Sequence, residues 1–113
     1  MCDNNRAMKI LGEVYHAFEK DFPGKLSDAY LYGSYARGDY DRDSDIDILL
    51  SVNLPAENLP PCRRVLARIN SDLSLKHDVT VSATVRAKSE FQKYSSILPY
   101  YKNILKEGIR YVE

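Results

Sequence analysis

Apolar positions recur along this chain in two distinct periods. Between residues 7 and 18 they fall at Ala7, Ile10 or Leu11, Val14 and Phe18, the spacing of a helix that buries one face. Asp3 or Asn4 stands where a side chain can cap that helix, and Pro23-Gly24 stands where it must stop. Ala29-Tyr30-Leu31-Tyr32 predicts a short strand running into Gly33. Over 45–52 the period changes to two, with Ile46, Ile48, Leu50 and Val52 on a core side and Asp45, Asp47, Leu49 and Ser51 on the other. Pro55, Pro60 and Pro61 mark a loop, and Pro61 suits the first turn of a helix carrying Cys62, Val65 or Leu66, Ile69 and Leu73. Residues 78–85 alternate again, placing Val79, Val81, Ala83 and Val85 on one face. Ser89 can cap a short helix, a further helix spans about 98–106, Gly108 ends it, and 109–112 can add an edge strand. The layout predicts an α/β (α+β) fold, a small mixed β-sheet flanked by helices.

Length and charge narrow the class. At 113 residues the expectation is a single domain over 1–113. Sixteen basic residues balance sixteen acidic ones, so no global field draws the chain to nucleic acid or to an anionic membrane. A polymerase or general RNA binder is therefore disfavoured. Cys2 and Cys62 are too few and too far apart for a disulfide framework or a zinc site. The first residues lack the apolar run of a signal peptide, and no stretch reaches transmembrane length. A cytoplasmic protein is expected.

The chemistry concentrates in one stretch. Gly33-Ser34-Tyr35-Ala36-Arg37-Gly38 is a small-residue turn that can hold a phosphate, and it is followed by Asp45-Ile46-Asp47-Ile48. Residues two apart in a strand share a face, so Asp45 and Asp47 project together. Two like charges this close favour protonation unless a cation offsets them. Magnesium is suited to one or two carboxylates plus phosphate oxygens. Asp78 is expected to open the next strand on its polar face with Thr80 and Ser82. If that strand pairs beside Asp47, three carboxylates converge, two holding metal and the third also able to accept a proton from an attacking hydroxyl.

Simpler readings account for parts of this stretch. Asp39, Asp41, Asp43, Asp45 and Asp47 suggest a calcium loop, but started at Asp39 or Asp41 the pattern meets Ser44 or Ile46 where it needs glycine. It also meets Leu50 or Val52 where it needs the bidentate glutamate. Asp39, Asp41 and Asp43 read as solvated turn residues. A Gly-Ser before a helix is by itself only a cap, and an isolated Asp-x-Asp is equally weak; the joint spacing carries the functional reading.

Gly33-Ser34-x-Ala36-Arg37-Gly38 followed by Ser44-Asp45-x-Asp47-Ile48 resembles the minimal nucleotidyltransferase domain of the DNA polymerase beta-like nucleotidyltransferase superfamily. The resemblance extends over most of the chain, including the first helix, the region of Asp78 and the tail Ile104-Leu105-Lys106-Glu107-Gly108-Ile109. It implies binding of ATP through Gly33, Ser34 and Arg37, and magnesium, two ions, on Asp45, Asp47 and Asp78 as the catalytic carboxylates. Arg37 has the competing role of a salt bridge to the aspartate-rich turn. The resemblance further implies transfer of AMP to a hydroxyl acceptor, a tyrosine of a HEPN-domain toxin partner, and hence an antitoxin. Transfer to a small molecule such as an aminoglycoside, and a non-catalytic antitoxin acting by occlusion, are the alternatives. Larger members use an extra helical domain to complete the site, so a partner or a homodimer mate is expected to supply that wall.

The remaining candidates are secondary. Tyr35 covers the nucleotide or packs. His16 lies on the first helix, and His77 could tune Asp78. Arg63, Arg64 and Arg68 read as a solvated helix face. Tyr94, Tyr100, Tyr101 and Tyr111 divide between core packing and a partner surface.

Overall fold

The first helix forms where the apolar stripe and the capping signal coincide. The computed structural model describes residues 3–112; Cys2 lies outside them. Helix α1, Asn4–Asp21, is capped by Asp3, whose carboxylate accepts the Arg6 backbone N–H at 2.9 Å. Its stripe, Ala7, Ile10, Leu11, Val14 and Phe18, is completely buried. At about 1.5–3 kcal/mol for each large side chain removed from water, that face is what holds the helix to the sheet.

The remaining elements are strand β1 (Leu26–Tyr32), the single helical turn α2 (Ser34–Arg37), β2 (Ile46–Val52), α3 (Leu59–His77), β3 (Val81–Ala87), α4 (Lys88–Tyr94), α5 (Pro99–Glu107) and the two-residue β4 (Ile109–Arg110). A 3-10 turn at Ala56–Asn58 leads into α3. The four strands form one mixed sheet in the order β3-β2-β1-β4. β1 runs antiparallel to β2 and β4, and β2 runs parallel to β3, with α3 making the crossover that a parallel pair needs. Among the described residues no helix is long and apolar enough to cross a membrane.

Each face of the sheet has its own core. Ile46, Ile48, Leu50 and Val52 of β2 and Val81, Ala83, Val85 and Ala87 of β3 pack with the stripes of α1 and α3. On the opposite face Leu49 joins Phe91, Tyr101 and Ile104, with Tyr30, Tyr32 and Tyr94 at the margin. Helices α4 and α5 cover that face, at whose end Asp45 is exposed and Asp47 half-buried.

Several boundaries differ from the sequence expectation. β1 begins at Leu26 rather than Ala29, because Leu26 and Asp28 pair with Val52 and Ser51 across an irregularity in register. α3 starts two residues before Pro61 and runs to His77. β3 consequently begins at Val81 and not at Asp78; the intervening turn is closed by the Val79 N–H donating to the Ser74 carbonyl and the Val81 N–H donating to Ser74 Oγ. Ser89 lies inside α4, whose N-cap is Ala87 and carries no side-chain bond. Cys62 is buried, as a small core residue of α3.

Candidate active site

Gly33 makes the turn from β1 into α2 possible. Its φ of 75° lies in the left-handed region that residues with a β-carbon rarely adopt. A β-carbon there would also stand 2.5 Å from Asp47 Oδ2. The glycine backbone is therefore pressed against the second carboxylate, and the two motif halves are in contact. Ser34 is the first residue of α2, and Gly38, left-handed at φ 86°, closes the turn with its N–H on the Ser34 carbonyl at 2.9 Å. Tyr35 anchors the turn from below: it is buried, stacks on Tyr40 with ring centroids 4.4 Å apart, and its carbonyl accepts the Asn4 side-chain amide at 2.9 Å. It packs in the core.

The connection to β2 is a side-chain-stabilised turn. Asp41 Oδ1 accepts the Asp43 N–H at 2.9 Å and the Ser44 hydroxyl at 3.3 Å, while Ser44 Oγ accepts the Asp41 N–H at 3.0 Å. Asp39 accepts from Arg37 Nε at 3.2 Å. Arg37 also lies 3.8 Å from Glu107 of α5, so both its partners are acidic side chains at the rim.

Asp45 is exposed just before β2, and Asp47 is half-buried within it. Strand alternation puts them on one side with Ile46 buried between. Burial pushes the Asp47 carboxyl above its usual value, the Asp45 charge pushes it further, and Arg37 opposes both. This is the electrostatic condition that a divalent cation relieves.

The neighbours of Asp47 across the sheet are Tyr32 on β1 and Ser82 on β3. The Tyr32 hydroxyl is 2.9 Å from that of Tyr100, with the rings perpendicular at 5.7 Å. Burial, the hydrogen bond and charge of Tyr100, and the charge of Asp47 all push the Tyr32 phenol upward, against a hydrogen bond with Thr84. Tyr32 stays a neutral hydroxyl at physiological pH. A cavity of about 220 Å³ opens beside the motif, lined by Tyr32, Gly33, Arg37, Tyr100, Asn103, Ile104 and Glu107.

Asp78 is not brought to this site. It is the exposed C-cap of α3, in the left-handed conformation (φ 52°, ψ 47°), and lines a separate open cleft with Arg42, Asp43, Ser44 and Thr80. Among the described residues no group of three His, Cys, Asp or Glu side chains comes together as metal ligands. The expected convergence fails because α3 runs further than its sequence signals and carries Asp78 off the strand. His77 does not tune Asp78 either: Nε2 is 2.6 Å from Glu13 of α1, and Nδ1 is 3.4 Å from Arg6. His16 contacts the Tyr111 hydroxyl at 3.2 Å, away from the motif. Arg63, Arg64 and Arg68 are exposed, Arg68 pairing with Asp21 at 2.9 Å. Tyr101 is core and Tyr94 and Tyr111 are half-buried, whereas Tyr100 borders the site.

Tyr32, Tyr100, Asn103 and Glu107 were not legible as site residues. Tyr32 had one usable signal: it is the last strand residue before Gly33.

A small mixed sheet with a glycine turn set against a carboxylate pair is the arrangement of a nucleotide-handling transferase. The sequence matches the family model for the nucleotidyltransferase domain over residues 11–112. The chain belongs to that family. It is 32% identical over 101 residues to a Methanocaldococcus jannaschii protein named "Putative protein adenylyltransferase MJ0604", covering 88% of this chain and 92% of that one. Its fold is shared with the crystal structure of a Sulfolobus solfataricus protein named "putative nucleotidyltransferase", at a TM-score of 0.65 and 24% identity, over 97% of this chain and 83% of the other. A crystal structure of a toxin–antitoxin with AMP-PNP also shares it, at a TM-score of 0.57 and 21% identity, over 87% and 69% of the two chains.

Proposed function

We propose that this nucleotidyltransferase moves AMP from ATP to a tyrosine hydroxyl of a HEPN-type toxin partner and so acts as an antitoxin in the cytoplasm. The observation that carries the reading is the close approach of Gly33 to Asp47, which sets the glycine turn directly against the second carboxylate. The protein acceptor is supported by the name of the Methanocaldococcus relative, and the toxin and adenine nucleotide by the toxin–antitoxin structure with AMP-PNP.

The residues fit a divalent cation: two carboxylates share one side of a strand, one of them raised by its neighbour's charge. Asp45 and Asp47 would hold magnesium, which supplies neutralisation of phosphate charge when bound. The pair suits one ion with phosphate oxygens completing its shell. Asp78 stands apart, and Ser82 occupies the β3 position beside Asp47, so no second ion is assigned. The Gly33 and Ser34 backbone and the Ser34 hydroxyl hold the β/γ-phosphates, which fixes the α-phosphate at the end of the sheet that carries Asp45 and Asp47. Arg37 adds a cation at the rim, balanced by Asp39 and Glu107. The acceptor hydroxyl oxygen attacks the α-phosphorus, the bond to the oxygen bridging to the β-phosphate breaks, pyrophosphate leaves with the electron pair and the hydroxyl proton passes to solvent.

The test is incubation of the chain with α-labelled ATP, magnesium and the toxin partner, beside the Asp45→Asn/Asp47→Asn double variant. Label on the partner with the wild-type chain alone is the expected result. A stable, protective complex formed equally by both forms, with no label, would establish occlusion in place of chemistry.

A further inference from the structure

We propose that Tyr100 is a nucleotidyl acceptor within its own chain, so that the protein adds AMP to itself at the mouth of its own site. This rests on the transferase reading above and goes beyond it in naming an acceptor on this molecule.

The nine tyrosines all lie within the described residues, and folding distinguishes one of them. Tyr35 and Tyr101 are buried, six others are half-buried, and Tyr100 alone is exposed, at 40%. Of the two tyrosines that line the cavity beside the motif, Tyr32 is half-buried in β1 and Tyr100 is the exposed one. Its hydroxyl is one 2.9 Å hydrogen bond from that of Tyr32, and Tyr32 is the β1 residue paired with Asp47. The same phenol lines the cavity that Gly33 and Arg37 border.

The phenol is also presented from a fixed backbone. Tyr100 lies in the first turn of α5, and its neighbours Tyr101 and Ile104 are buried in the second core. Such fixing replaces the entropy that a separate acceptor molecule would lose on binding. Tyr101, one residue on, faces the core and hydrogen-bonds Glu90 at 3.2 Å, so it cannot substitute.

The chemistry needs ATP alone as co-reactant. Tyr100 Oη attacks the α-phosphorus; the Oη–phosphorus bond forms and the bond to the oxygen bridging to the β-phosphate breaks. Pyrophosphate leaves with the electron pair, and the phenol proton passes to the solvent at this exposed position. The product, a tyrosyl-AMP, occupies the cavity beside Gly33, which makes the modification self-limiting at one AMP per chain.

The experiment is incubation of the full chain with magnesium and α-labelled ATP in the absence of any partner, followed by intact mass and peptide mapping. One AMP per chain on the peptide bearing Tyr100 is expected, with an initial rate per chain that does not change with protein concentration. Tyr100→Phe loses the label, and so does Asp47→Asn, which retains the Tyr100 acceptor. Mixing Tyr100→Phe with Asp47→Asn yields no label, because the acceptor and the carboxylate must share one chain. Label elsewhere, label on the mixed sample, or a chain that modifies its partner but never itself each overturn the proposal while leaving the transferase reading standing. A chain that transfers AMP to nothing overturns both.

Discussion

The β-carbon that Gly33 lacks would stand 2.5 Å from Asp47 Oδ2. A turn of the chain and a strand side chain thus share a space that admits no added atom. Gly33→Ala must therefore meet two costs, the left-handed φ of 75° and the displacement of the carboxylate. Gly24 provides the control, since it has φ 74° and nothing within 4 Å of a β-carbon. Gly24→Ala is expected to lower stability by about 1–2 kcal/mol through backbone strain alone. Gly33→Ala is expected to lower it by more and to abolish nucleotidyl transfer, as read by denaturant unfolding and by the labelling assay. Equal destabilisation with transfer intact would show that Asp47 tolerates the shift.

Asp47 sits where its charge is disfavoured, and this has a sign for stability. Its folded-state carboxyl lies above the ordinary value of 3.8, so the folded chain binds more protons than the unfolded one between those two values. The ionised group therefore weakens the fold at neutral pH, and that penalty fades as pH falls through the raised value. Asp47→Asn is expected to raise the melting temperature at pH 7 while removing activity. Magnesium should stabilise the wild type by an amount that grows with the logarithm of its concentration above Kd and leave the asparagine variant unmoved. Thermal melts with and without magnesium at pH 7 check both; a wild type indifferent to magnesium would remove the carboxylate pair from consideration as a cation site.

The opposite sign applies to Glu13. Burial raises its carboxyl, but hydrogen bonds and charges from His77 and Lys76 outweigh this and hold it below the ordinary 4.5. Its contribution is present above 4.5 and is lost as pH falls below that value. Glu13→Gln leaves the 7% exposed His77 without its 2.6 Å carboxylate partner. A loss of about 1.5–3 kcal/mol at pH 7 is expected, since hydrogen bonds to charged groups contribute on that scale. The difference from wild type should shrink in denaturant titrations below pH 4.5; a difference constant down to pH 3 would exclude the ionised Glu13 carboxylate as its source.

Ser82 stands opposite Asp47 in the parallel β2–β3 register. A carboxylate there would be the third member that Asp78 does not provide. Ser82→Asp is expected to tighten magnesium binding, roughly tenfold for each 1.4 kcal/mol of added attraction. It is also expected to lower the metal-free melting temperature through like-charge repulsion. Calorimetric magnesium titration of the two chains measures the first effect; unchanged affinity would mean that residue 82 does not face the pair.

Much of this molecule was legible before folding. The stripe of α1, the alternation of β2 and β3 and the glycine turns that bracket α2 follow from local rules, because helical period, strand period and backbone conformational freedom act over a few residues. Asp45 and Asp47 share a side for the same local reason. The errors share a different cause. Asp78 read as a strand residue because Val79, Val81, Ala83 and Val85 alternate without a break, yet α3 continues to His77, where His77 bonds Glu13 on α1. The early start of β1 at Leu26 is likewise a pairing with Val52 on β2.

What the sequence by itself determined is therefore the local arrangement: a glycine-bracketed turn, two carboxylates in step, and the elements that carry them. What only the tertiary structure decided is which distant groups stand beside the candidate site. The register of β2 places Tyr32 and Ser82 beside Asp47, and the packing of α5 on the second core brings Tyr100 to Tyr32 and Glu107 to Arg37. Local periodicity sets the side on which a residue projects. The partner it meets there depends on strand register and helix docking, which are set by contacts far apart in the chain.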